Sequence, residues 1–81
     1  MKITVKLFAI LREQAGVSSL LLDLPEHSTV DAALQQLVNA HPALIRLLLK
    51  SGYAVNQAYS SRQTILKEGD ELALIPPVSG G

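Results

Sequence analysis

Glu71-Leu72-Ala73-Leu74-Ile75-Pro76-Pro77-Val78-Ser79-Gly80-Gly81 closes the sequence, and the rest of the chain is read from it. Leu72 to Ile75 is an apolar run of strand character. With Leu72 and Leu74 turned to a core, Ala73 and Ile75 point outward. Pro76 and Pro77 then stop the strand, because neither has an N–H to give to a sheet ladder. Beyond them come small residues and a Gly-Gly with nothing past Cα, able to thread a passage too narrow for a side chain. Six extended residues reach about 20 Å. The pattern predicts a folded domain over 1–75 and an extended tail over 76–81 that ends in the carboxylate of Gly81.

A buried last strand needs neighbours. Residues 2–9 alternate, with Ile3, Val5 and Leu7 on one side and Lys2, Thr4 and Lys6 on the other. Phe8, the single phenylalanine, falls on the side of the lysines and reads as an outward aromatic. Residues 10–15 predict a short helix closed by Gly16. Residues 17–24 predict a second strand, and its run Leu20-Leu21-Leu22 predicts partial burial on both faces. Ser28 or Thr29 caps the next helix, with Asp31 in its first turn and Val30, Ala33, Leu34, Leu37 and Val38 at helical spacing. Pro42 ends it. Residues 43–50 predict a shorter helix, much of it buried because apolar residues nearly surround it. Residues 53–56 form a short strand, and 57–60 its hairpin partner or a turn. Lys67-Glu68-Gly69-Asp70 is a turn with Gly69 at positive φ and Asp70 holding local backbone. Strands, one main helix and a closing strand make an α+β arrangement. If the first and last strands pair in parallel within a mixed sheet, with the helix packed across it, the fold is a β-grasp, or ubiquitin-like, fold.

Composition narrows the function classes. A 48% hydrophobic chain of 81 residues supports one core. Seven basic and seven acidic residues cancel, which speaks against nucleic acid and anionic membrane as partners. Without cysteine there is no disulfide, thiolate nucleophile or thiolate metal site, and His27 and His41 make no metal cage without carboxylate help. No apolar run is long enough to span a membrane, and a strand begins at once where a signal peptide would stand, so the cytoplasm is the expected compartment.

Four stretches together resemble one family. Leu7-Phe8-Ala9 with Leu11-Arg12-Glu13 and Gly16, Ala54-Val55-Asn56-Gln57, Leu66-Lys67-Glu68-Gly69-Asp70-Glu71-Leu72, and Ile75-Pro76-Pro77-Val78-Ser79-Gly80-Gly81 are similar to the landmarks of the small, sulfur-carrying subunits of molybdopterin synthase. The resemblance implies the β-grasp fold and a carrier with no catalytic apparatus of its own. An E1-like adenylating enzyme, using ATP and Mg²⁺, would join AMP to the Gly81 carboxylate. A sulfurtransferase would supply the sulfur that turns it into a thiocarboxylate. The large synthase subunit would admit the tail and pass its sulfur to cyclic pyranopterin monophosphate, within a heterotetramer. No cofactor or metal would be bound by the chain itself.

The tail residues Pro76, Pro77, Val78, Ser79 and Gly80 would then serve threading, and Phe8, Ile75 and Tyr59 are the expected contacts on the folded domain. Three rival readings keep parts of this picture: a sulfur carrier for thiamine or another thiolated product, a ubiquitin-type modifier attached through Gly81, and a plain interaction domain with a passive tail.

Overall fold

Leu7 stands opposite Leu74 in a parallel strand pair, and both are buried to within 1% of full exclusion. That pair sits at the centre of a five-stranded sheet in a computed structural model that describes residues 1–77. The strands are β1 (Lys2–Leu7), β2 (Ser19–Asp23), β3 (Gly52–Val55), β4 (Ala58–Ser60) and β5 (Glu71–Ile75), in the order β2-β1-β5-β3-β4. β1 and β5 run parallel, and the other pairs are antiparallel. The helices are α1 (Ala9–Ala15), α2 (Val30–Ala40) and α3 (Ile45–Leu48), the last preceded by a 3-10 turn over Pro42–Leu44. This is the β-grasp fold that the chain's pattern predicts.

Alternation builds the core. Ile3, Val5 and Leu7 of β1 and Leu72 and Leu74 of β5 all face one side of the sheet. Val30, Ala33, Leu34 and Leu37 of α2 pack against them. Burying each leucine of such a set contributes about 1.5–3 kcal/mol. Thr29 caps α2 by accepting a hydrogen bond from the Ala32 amide at 3.3 Å, while the Ser28 hydroxyl donates back to the Pro25 carbonyl. Gly16 closes α1 in the left-handed conformation, with φ 80. Asn56 and Gln57, at φ 51 and 71, form the two-residue turn that joins β3 to β4, the handedness a tight hairpin favours.

Three local expectations are corrected. β1 ends at Leu7, and Phe8 is the extended residue that starts α1. In β2, Leu22 is buried but Leu21 is 75% exposed. β2 lies at the sheet edge and only one of its faces meets the helices, so the triple leucine is not buried on both sides. The segment after Pro42 buries only Leu44 and Leu48 and leaves Ile45 and Leu49 exposed, because this short helix rests on the core along one side.

Candidate functional site

The face of the sheet away from the helices is open, and strand register arranges its residues in rows. Lys6 pairs with Ala73, Ala73 with Ala54, and Ala54 with Tyr59. These side chains share the open face, since their strand neighbours Leu72, Leu74 and Tyr53 face the core. Past the Leu7–Leu74 pair, Phe8 follows β1 and Ile75 closes β5, where Ile75 pairs with Gly52. Phe8 has extended backbone angles of −125° and 154° and follows the buried Leu7, so its ring lies on the open side, 47% exposed. Glycine at 52 puts no side chain beside Ile75. The C-terminal end of β5 is thus flanked by one aromatic and one half-buried aliphatic residue.

The expected contact residues are only partly gathered. Phe8 and Ile75 directly follow the paired Leu7 and Leu74, which puts both on the open face at the end of β5. Tyr59 shares their face and is 85% exposed, but it belongs to the edge strand β4, two strands and about 10 Å from β5. Pro76 and Pro77 follow β5 outside any strand and are half-buried. Val78, Ser79, Gly80 and Gly81 lie outside the described residues. Sequence reading missed Leu21, which register places opposite Thr4 on the open face. Strict alternation from Leu22 would have found it; the run of three leucines hid it. Reading also missed the backbone of Ala9, at φ 48, and composition gives no signal for that.

The start of β5 is held by side chains. The Asp70 carboxylate, 9% exposed, accepts from the Lys67 amide at 2.7 Å and from Asn56 Nδ2 at 2.9 Å. Asn56 Oδ1 accepts from the Glu71 amide at 3.0 Å. β5 is therefore fixed at its first residues to the β3–β4 turn. Asp70 and Glu71 serve this lock and form no paired-carboxylate site.

Elsewhere the chain offers little chemistry of its own. Among the described residues no three His, Asp or Glu side chains converge to hold a metal ion, and no helix is long and apolar enough to cross a membrane. A hollow of about 320 Å³ on the helix side lies between α2 and α3, and its charged residues Asp31 and Arg62 face each other at 3.9 Å. The Arg62 guanidinium also donates twice to the Tyr53 hydroxyl, and that hydrogen bond raises its pKa above an already alkaline value. Arg62 is thereby committed to holding the fold.

Known proteins resemble this chain in sequence and in fold. The ThiS family profile matches residues 5–81. The chain is 42% identical to the "Molybdopterin synthase sulfur carrier subunit" of Chlamydomonas reinhardtii, with all of both chains covered. It is 44% identical to the small archaeal modifier protein 1 of Haloferax volcanii, over 94% of this chain and 97% of that one. A crystal structure of that modifier superposes with a TM-score of 0.91 at 38% identity over the full length of both chains. The chain belongs to the ThiS family and, within it, to the molybdopterin synthase sulfur carrier subunits.

Proposed function

We propose that the chain works as a co-substrate whose reactive group is the Gly81 carboxylate. A carboxylate is a poor electrophile. Attack of its oxygen on the α-phosphorus of ATP, in an adenylating partner, displaces pyrophosphate and leaves an acyl-adenylate. The terminal sulfur of a persulfide on a sulfurtransferase cysteine then attacks the carbonyl carbon. A C–S bond forms, the C–O bond to AMP breaks, and the product is an acyl disulfide still joined to the sulfurtransferase. A partner thiolate attacks the sulfurtransferase-side sulfur, the S–S bond breaks, the two partner sulfurs end as a disulfide, and Gly81 leaves as a thiocarboxylate. In the large synthase subunit that sulfur bonds to a carbon of cyclic pyranopterin monophosphate as a C–O bond at that carbon breaks and its oxygen substituent leaves, and hydrolysis of the sulfur's bond to Gly81 restores the carboxylate. Two such deliveries complete the dithiolene of molybdopterin. None of these steps needs a side chain of this chain. They need an unhindered terminal glycine, a thin neck and a surface to grip.

The observation that carries the reading is 42% identity, over the full length of both chains, to a named sulfur carrier subunit, together with a central strand that leads directly into Pro76-Pro77. Prolines at that point restrict the neck and lower the entropy lost when a partner captures the tail. Phe8 and Ile75 at the root of the tail, with Tyr59 farther along the same face, are the surface we assign to the large subunit. The test is reconstitution. Thiocarboxylated chain, large synthase subunit and cyclic pyranopterin monophosphate are expected to yield molybdopterin, and a chain lacking Gly80-Gly81 to yield none. Equal yield from the shortened chain contradicts the reading.

A second reading has a specific observation behind it, the 44% identity to an archaeal modifier protein. The same acyl-adenylate, attacked by a lysine amine instead of sulfur, gives an isopeptide. Lysine conjugates that survive strong denaturant in cells expressing the chain would support attachment alongside sulfur delivery. Their absence would confine the chain to carriage.

A further inference from the structure

Ala9 carries a β-carbon at φ 48, in the left-handed region where Cβ crowds the following carbonyl oxygen. Among the described residues the other non-glycine positions at positive φ are His27, Asn56 and Gln57. Asn56 and Gln57 make a hairpin turn and His27 lies in the turn between β2 and α2, where such angles are ordinary. Ala9 instead sits where a central strand becomes a helix. Its two flanks are pinned, Leu7 at 1% and Leu11 at 0% exposure. The left-handed step stands between the extended Phe8, whose own angles turn its ring to the open side, and α1, which returns Leu11 to the core that Leu7 also faces. The Phe8 carbonyl takes the amides of Leu11 at 3.0 Å and Arg12 at 3.4 Å, which fixes its backbone without using the ring. The ring is left out of the core cluster.

We infer that Ala9 is a positioning residue, whose left-handed backbone holds the Phe8 ring on the open face beside Ile75 for the large synthase subunit to cover. This rests on the carrier reading above. Residues that hold unfavourable backbone angles tend to cluster where a surface must be presented in one way. Glycine adopts the angle freely, asparagine tolerates it, and a β-branched residue resists it.

Phe8 is the only phenylalanine, so biosynthetic 4-fluorophenylalanine labels that ring alone. The experiment measures the fluorine resonance and the affinity of the thiocarboxylated chain for the large synthase subunit in wild type, Ala9→Gly, Ala9→Val, Phe8→Ala and the double variant Phe8→Ala/Ala9→Val. Ala9→Gly is expected to keep the wild-type resonance and affinity. Ala9→Val, with folding confirmed by melting, is expected to move the resonance and weaken binding about tenfold. In the Phe8→Ala background the same change is expected to weaken binding no further. Should Ala9→Val fail to fold, Ala9→Thr, also branched at Cβ, reads the same contrast. Wild-type affinity in the folded Ala9 variant, or an equal loss with and without Phe8, overturns the inference while leaving the carrier reading intact. Failure of the wild-type chain to bind the large subunit overturns both.

Discussion

Asn56 and Asp70 are joined across 14 residues by a 2.9 Å hydrogen bond from the Asn56 carboxamide to the Asp70 carboxylate. The same asparagine exchanges two further bonds with Glu71, its Oδ1 accepting the Glu71 amide and its own amide donating to the Glu71 carbonyl at 2.8 Å. The first residue of the tail-bearing strand is thus tied to the opposite hairpin. Asp70→Ala removes a charged acceptor and strands the Lys67 amide and the Asn56 carboxamide. The expected cost is about 2–3 kcal/mol, which lowers the melting temperature by about 10 °C or more. A thermal melt checks it, and a shift below about 2 °C contradicts the lock.

The turn between β3 and β4 places a glutamine where glycine is the natural occupant. Gln57 holds φ 71 directly after Asn56 at φ 51. Gln57→Gly creates the Asn-Gly pair that this turn favours and is expected to stabilise the chain by about 0.5–1 kcal/mol, read as a raised urea midpoint. A lowered midpoint would mean that the Gln57 side chain contributes more than its backbone costs.

The Tyr53 hydroxyl joins three elements. It donates to the Leu48 carbonyl at 2.8 Å and accepts from Arg62 Nε and Nη2 at 3.2 and 3.1 Å. Tyr53→Phe is expected to cost about 1–2 kcal/mol through the lost buried bonds. The bonds that Arg62 donates to Tyr53 raise the Arg62 pKa, so their contribution is fully present below the unfolded value and is lost only as pH rises through the higher folded one, in strong alkali. The loss measured by urea unfolding should therefore be the same at about pH 6 and about pH 8. A loss that changes between them would contradict the assignment.

Much of this was legible beforehand, and the exceptions have physical reasons. Period-two alternation in residues 2–7 and 71–75 was enough to place Ile3, Val5, Leu7, Leu72 and Leu74 in the core, because each strand is buried on one face only. Helical spacing marked Val30, Ala33, Leu34 and Leu37 equally well. Leu21 and Leu49 escaped because a continuous apolar run carries no period, and which member faces out depends on sheet order and on what covers each face. The conformation of Ala9 escaped because alanine is the residue least informative about left-handed backbone. It lies between two buried leucines, Leu7 and Leu11, whose placement depends on the tertiary fold. The outward Phe8 was read correctly, although it heads a helix and does not lie in the strand.

Gly80→Ala adds one methyl group to the neck just before the reacting carboxylate. If the tail threads a channel closed to side chains, adenylation of Gly81 is expected to slow by at least about tenfold, since small displacements at a reacting centre are costly. The melting temperature should not move. Pyrophosphate release by the adenylating enzyme reads the rate, and an unchanged rate would remove the threading argument.

The claim on which the rest depends is that sulfur is carried on Gly81. Intact mass spectrometry after incubation with ATP, Mg²⁺, the adenylating enzyme and the sulfurtransferase tests it directly. Exchange of one oxygen for sulfur adds about 16 mass units, and fragmentation should locate the gain on the terminal glycine. An unchanged mass, or a gain located anywhere else in the chain, would contradict the account.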